Sequence, residues 1–455
     1  MGKVKSPPLL FQSKVLCFSL LYLFSTLFLA LYSSFSSTPK SKCIFRSSPY
    51  EPIQTPLFSY PPNYGERKHS IPTLRPSCNS PVYFSDYWTV LKEIKEFCGN
   101  STSSLGSRRL RYMQGKRESF GGNFTIQERN SYFDYSDDGF EVPCAFFTEF
   151  PICDSDRAAM RKCRGVVVVS AIFGDHDKIR QPKGLGFKTK ELVCFFMFVD
   201  EATLKRLDEH KIISRKSQEH IVGVWRIVKV SSEHLYTNAA MNGVIPKYLV
   251  HRLFPNSVYS IWIDAKLQLM VDPLLLIHSL VIVENVDMAI SRHPYYINTM
   301  EEAMATARWK KWLDVDSLKM QIETYCDNGL QPWTPSKLPY PSDVPDSALI
   351  MRKHTLSSNH FSCLLFNELE AFNPRDQLAF AYVRDRMNPK MKINMFDVEV
   401  FEQVVAEYRH NVKQGGPSWA EMPRTKRASS DLNGNNSSCS RCEEYLLKMW
   451  SESHD

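Results

Sequence analysis

The sequence shows no strong excess of either charge, no internal repeat, no Gly-x-Ser-x-Gly elbow, and no second long apolar run beyond its first 40 residues. Its 56 basic and 49 acidic residues leave a net charge of +7 over 455 residues, a mild excess that argues for a solvated mixed-charge surface and against a nucleic-acid partner. The missing elbow excludes a serine hydrolase of the strand–turn–helix type. One apolar run is too few for a multi-span bundle holding a His/Asp metal site. Core residues, by contrast, are plentiful: 43% hydrophobic and 12% aromatic composition excludes a disordered scaffold.

The one long run, VLCFSLLYLFSTLFLALY at residues 15–32, holds no charge, proline or glycine. As a helix it would extend about 27 Å, close to the hydrocarbon thickness of a bilayer. Lys3, Lys5 and Lys14 precede it, so the positive-inside rule predicts a cytosolic tail at 1–14, a signal-anchor at 15–35 and a lumenal body, the single-pass type II layout. Lys40, Lys42 and Arg46 on the far side pull against that rule. A cleaved signal peptide is the competing reading, but its apolar core is normally roughly 7–15 residues followed by a small-residue cleavage site, and this run is longer.

Residues 36–80, rich in Ser and Pro without a sustained period, read as a stem. Residues 81–163 read as an irregular Cys-containing lumenal subdomain, 164–412 as the catalytic domain and 413–455 as a polar tail. Sequons at Asn100, Asn123, Asn435 and Asn436 fall outside the hydrophobic centre, as glycosylation sites would. Cys43, Cys78, Cys98, Cys144, Cys153 and Cys163 precede the core and predict disulfide bracing in an oxidising compartment. Cys439-Ser-Arg-Cys442 lacks a second pair and reads as a disulfide rather than a zinc site.

From Arg164 the texture changes. GVVVVSAIF is a β-branched run of the kind buried on both faces of a sheet, ending in Phe173-Gly-Asp-His-Asp177. Further runs at 193–199, 224–230 and 259–263 alternate with helical segments, the last strand leading straight into Asp264. This alternation predicts an α/β fold, a mostly parallel sheet flanked by helices, with ligands at the strands' C-terminal ends; the resemblance of Tyr259–Pro273 to a GT-A strand implies that it is GT-A-like (Rossmann-like).

The segment YSIWIDAKLQLMVDP resembles the GT-A strand that delivers Asp-x-Asp to the sheet edge. Two such carboxylates hold a divalent cation, Mn or Ca, against a nucleotide diphosphate. Here Lys266 takes the second place. A protonated lysine cannot ligate a metal, so a cation is doubtful and Asp264 is its one candidate ligand; Lys266 could still offset diphosphate charge itself. The competing reading makes Asp264 and Lys266 a structural ion pair. Met288-Ala-Ile-Ser reads as a strand ending in Arg292, a candidate anion clamp, and His293, a candidate acid/base. Arg375, Asp376 and Gln377 open an apolar helix, where an acid is ordinarily a cap but also resembles the acceptor-side acid of several GT-A families.

The strings SAIFGDHDKIRQP, WIDAKLQLMVDP, ISRHP, SDVP and RDQLAF, spread from about Val166 to His410, resemble the plant DUF616 family throughout. One branch of that family is described as a probable hexosyltransferase related to mucilage. The other is linked to turgor regulation and assigned as a Golgi alkaline ceramidase; the short stem and single anchor place this chain nearer to it. The resemblance implies a Golgi membrane enzyme that hydrolyses ceramide to sphingoid base and fatty acid. The strand-end acids fit hexosyl transfer from a nucleotide-sugar to a glycan or cell-wall polysaccharide better. The candidate catalytic residues are Asp264, Lys266, Asp376 and His293, and the candidate substrate-binding residues are Asp175, His176, Asp177, Arg180, Arg292, Arg375 and Gln377. Hydrolysis could draw on His176, His293 or His354 with Asp175 or Asp177, but no spacing singles them out. A non-catalytic lumenal scaffold is a third reading, with Lys266 its best argument.

Overall fold

A computed structural model of the chain describes residues 14–35, 43–46, 52–65, 78, 80–104, 110–135, 140–213, 219–231 and 235–408. Ten strands carry the site: β1 (Val166–Ile172), β2 (Val193–Val199), β3 (His220–Val222), β4 (Trp225–Lys229), β5 (Tyr259–Ile263), β6 (Leu267–Leu269), β7 (Met288–Arg292), β8 (Pro345–Lys353), β9 (Ile393–Phe396) and β10 (Val405–Glu407). Eight form one sheet in the order β9-β7-β8-β5-β1-β2-β4-β3, and β6 pairs separately with β10.

The sheet is mixed rather than simply parallel. Strands β5, β1, β2 and β4 pair in parallel, as do β7 and β9, but β8 runs antiparallel between β5 and β7, and β3 antiparallel to β4. A strand buried on both faces has the same apolar texture in either direction, which is why direction was not legible in β8.

Successive side chains point to opposite faces of a strand. Val167 and Val169 of β1, Phe196 and Phe198 of β2 and Trp262 of β5 accordingly pack in one core layer. Val166, Val168, Phe195, Met197, Ile261 and Ile263 pack in the other. Residues from 110 to 163 cover the first layer with Leu110, Phe120, Phe133 and Phe150, tied down by the disulfides Cys144–Cys363 and Cys163–Cys194. The second layer is covered by Phe84, Tyr87, Val90 and Ile94. A third disulfide joins Cys43 to Cys78, while Cys98 and Cys153 are free thiols. Residues 52–64, expected as part of a spacer, instead pack on this layer, with Tyr64 buried.

The expected anchor is not supported as a span: among the described residues no helix is long and apolar enough to cross a membrane. Residues Lys14–Phe35 do form a helix of 22 residues. Asn123 is exposed on a turn and Asn100 falls within the helix Tyr87–Ser104; Asn435, Asn436, Cys439 and Cys442 lie outside the described residues.

Candidate active site

The parallel strands bring their C-terminal ends to one edge, and antiparallel β8 brings its start to the same edge. Asp264 follows β5, Arg292 ends β7, Asp397 follows β9, and Asp346 and Ser347 open β8. The helix Ala239–Tyr248, capped by the Asn238 side chain on the Ala240 N–H, supplies Lys247 and Tyr248; the helix Asp376–Arg386 begins at Asp376.

These groups form a buried floor and a more open mouth. In the floor, Lys247 Nζ lies 2.6 Å from Asp376 Oδ2 and donates to Ser347 Oγ at 3.1 Å. Ser347 Oγ in turn donates to Asp376 Oδ1 at 2.7 Å, and Tyr248 donates its hydroxyl to Asp376 Oδ2 at 2.8 Å. Burial alone would raise the Asp376 carboxyl, but the Lys247 ammonium and the two hydroxyl donors outweigh it and hold the group below its ordinary value. Burial with the nearby carboxylate pushes the Tyr248 phenol well up, so it remains a donor.

Asp264 joins floor to mouth. Its Oδ1 accepts from Trp262 Nε1 at 2.7 Å and lies 3.9 Å from Lys247 Nζ. In the mouth, Lys266 Nζ pairs with Glu407 Oε1 at 3.0 Å, an approach made possible by the β6–β10 pairing. Burial would lower the Lys266 ammonium; Glu407, Asp264 and Asp346 together overcome that and raise it, so it stays charged. Burial raises the Asp346 carboxyl against the pull of Lys266.

The other expected residues sit around this centre or apart from it. His293 takes the Tyr295 and Tyr296 N–H groups on Nδ1, stacks on Tyr296, and turns Nε2 to within 4.0 Å of Glu302. Burial pushes it down to about 4, so the ring is neutral. Arg375 pairs with the same buried Glu302 at 2.5 Å, and Gln377 is half-buried beside Asp376. Arg292 pairs with Asp397 at 3.1 Å. Asp175 pairs with Arg206 at 3.3 Å and lies 4.0 Å from Lys178, on a tight turn where Gly174 has φ +74°. His176 and Asp177 are half-buried on that same loop. Arg180 lies over the Tyr408 ring at 3.6 Å. His354 is spent on Ser257 and Ser260.

Sequence reasoning missed Lys247, Tyr248, Ser347, Asp346 and Glu407. Asp346 and Ser347 lie beside the SDVP string; Lys247 follows Pro246 in an otherwise apolar helix and carried no signal.

The residues do not fit a divalent cation. Lys266 stands among the carboxylates of Asp264, Asp346 and Glu407 as a tethered positive charge. Among the described residues the one trio with ligand atoms in mutual reach is Cys144, His251 and Cys363, whose two sulfurs are bonded to each other.

The α/β body carries charged side chains at the ends of its parallel strands, and its class follows from the family it matches, that of a glycosyltransferase-like domain. Residues 107–410 match the family described as TOD1/MUCI70, glycosyltransferase-like domain, and the chain belongs to that family. It is 60% identical over 459 residues to the Arabidopsis thaliana protein named alkaline ceramidase TOD1, covering 98% of each chain. It is 36% identical over 379 residues to the Arabidopsis thaliana protein named probable hexosyltransferase MUCI70, covering 78% of this chain and 62% of that one. Among solved structures, mouse xyloside xylosyltransferase 1 is 9% identical with a TM-score of 0.30, covering 51% of this chain and 85% of its own. The WbbM bifunctional glycosyltransferase is 10% identical with a TM-score of 0.27, covering 51% and 38%. Scores this low carry no argument about fold or function.

Proposed function

We propose that the chain is a ceramide amide hydrolase whose working centre is the buried Ser347–Lys247–Asp376 floor. The observation that carries this reading is the juxtaposition of a nucleophile, a cation and an acceptor carboxylate at hydrogen-bond distance, the arrangement acyl transfer needs. The 60% identity to a protein named alkaline ceramidase, over nearly the whole chain, supports the substrate. In the proposed reaction Ser347 Oγ attacks the amide carbonyl carbon as hydroxide from the alkaline medium takes its proton and becomes water, while Asp376, held ionised beside Lys247, orients the hydroxyl. The Lys247 ammonium offsets the developing oxyanion and then protonates the leaving nitrogen as the C–N bond breaks, regaining its proton from that water, which is left as hydroxide. Water hydrolyses the acyl-serine by the same route, so the products are a fatty acid and a sphingoid base. Ser347→Ala should lower release from ceramide about 10³-fold or more with the fold intact; undiminished release would remove Ser347 from the mechanism.

A second reading is hexosyl transfer from a nucleotide-sugar, favoured by Asp264 and the tethered Lys266 charge at the mouth, with GT-A chemistry run without a metal. Here Lys266→Ala should abolish nucleotide-sugar binding by calorimetry and Ser347→Ala should not. The same proposal places the body in the Golgi lumen behind a type II anchor at 15–35. The outward-facing Val15, Phe18, Tyr22 and Phe28 of the helix Lys14–Phe35 and the disulfides support it. Protease protection of the body in sealed Golgi vesicles tests it, and digestion there would reject it.

A further inference from the structure

The segment 53–64 lies outside the residues matched by the family, yet it grips the loop that follows β1. The Ile53 N–H donates to Leu185 O at 2.9 Å. Gln181 Nε2 donates to the Tyr60 hydroxyl at 2.9 Å, and the buried Ile179 N–H donates to the Tyr64 hydroxyl at 3.0 Å. Tyr60 and Tyr64 stack with ring centres 5.1 Å apart, and Lys178 Nζ sits 5.0 Å from the Tyr64 ring. Burial pushes the Tyr60 phenol up to about 12, and the Tyr64 phenol rises for the same reason, so both stay neutral.

The loop so held carries Arg180 onto Tyr408. Tyr408 adjoins Glu407, the partner of Lys266, and its N–H donates to Lys266 O at 2.9 Å. The start of the same N-terminal segment reaches the helix Val398–Val404 that leads into β10: the Cys43 N–H donates to Gln403 Oε1 at 3.2 Å, and the Cys43–Cys78 disulfide closes the segment into a covalent loop. One belt therefore touches both elements that frame Lys266.

We propose that residues 53–64 are a positioning part of the active unit: through the Tyr60 and Tyr64 hydroxyls they fix Arg180 over Tyr408 and so set the Lys266 side of the mouth. A spacer would need none of these contacts, because a linker only has to span distance. The catalytic unit then begins near Cys43, not at the family boundary.

The test uses the full chain and the Tyr60→Phe/Tyr64→Phe double variant, which keeps both rings and removes only the two hydroxyls. The Ile179 amide should exchange about tenfold faster, since a buried donor loses its acceptor. Arg180 should also react faster with phenylglyoxal, read by peptide mass spectrometry. The turnover arm rests on the proposed function: kcat/KM should fall about tenfold, Arg180→Lys should fall equally because a lysine cannot stack as the planar guanidinium does, and the three changes together should be no worse than either alone. Unchanged exchange and Arg180 reactivity would overturn the proposal, as would losses that add independently. If the unaltered chain turns over neither ceramide nor a nucleotide-sugar, the proposed function fails, while the exchange and phenylglyoxal arms still decide the belt.

Discussion

Replacing Asp376 by Asn removes one charge from a pair whose side chains are only 11% and 6% exposed, at 2.6 Å. The Lys247 ammonium is then buried beside a neutral amide, and breaking a buried pair from one side costs about 3–5 kcal/mol. Asp264 remains 3.9 Å away and softens the loss, so the lower end, about 3 kcal/mol, is expected. At about 2 °C per kcal/mol for a body of this size, the melting temperature should drop by about 6 °C in calorimetry at pH 7.5. The pH dependence gives an independent check. The Asp376 carboxyl is held below its ordinary value, so its stabilisation is fully present above pH ~4, where the unfolded carboxyl is ionised, and is lost as pH falls through the folded value. Melting curves of wild type and Asp376→Asn should therefore converge as pH falls through that folded value. The Lys247→Met/Asp376→Leu double variant, with both charges gone, should recover most of the stability and none of the activity. A single variant melting within about 1 °C of wild type would refute the reasoning, because the pair would then be no more than a surface contact.

Asp272 titrates the other way. Burial pushes it up to about 6 despite donations from the Gly186 and Leu274 N–H groups and the Thr189 hydroxyl, so stability should fall by about 2–3 kcal/mol as pH rises from about 4 to about 6. Asp272→Asn should flatten that slope in urea titrations; an unchanged slope would assign it to other groups. Restoring the second acid with Lys266→Asp should create a cation site, so Mn²⁺ should raise the melting temperature of the variant and leave wild type unmoved. A wild-type shift with Mn²⁺ would contradict the tethered-charge account. Arg384, fully buried between Asp343 and Asp385 at 2.7 Å each, should cost about 3–5 kcal/mol as Arg384→Met, measured by denaturant unfolding.

Strands β1, β2 and β5 were legible because a seven-residue or shorter apolar run, rich in β-branched and aromatic side chains and bounded by polar residues, suits a strand buried on both faces. Asp264 stood out as a charge directly after one of them. The pairing around it was not legible. Lys266 finds Glu407 at a sequence separation of 141, and Tyr248 finds Asp376 at 128; no local period encodes contacts made by the return of distant elements. The partner of Asp175 was equally illegible. It stands at a strand end, as a ligand-binding acid would, but the left-handed turn at Gly174 and Asp175 directs it to Arg206. Residues 52–64 looked like spacer because Pro and Ser hide their content, yet three aromatic side chains, Phe58, Tyr60 and Tyr64, pack there.

The most direct measurement is product analysis by mass spectrometry after incubating purified full-length chain, wild type and Ser347→Ala, with ceramide in mixed micelles through the alkaline range and, separately, with a UDP- and GDP-sugar panel. The account predicts fatty acid and sphingoid base from wild type, at least about 10³-fold less from Ser347→Ala, and no sugar nucleotide consumed. Consumption of a nucleotide-sugar with ceramide untouched would contradict it and move the chemistry from the Ser347 floor to the Lys266 mouth.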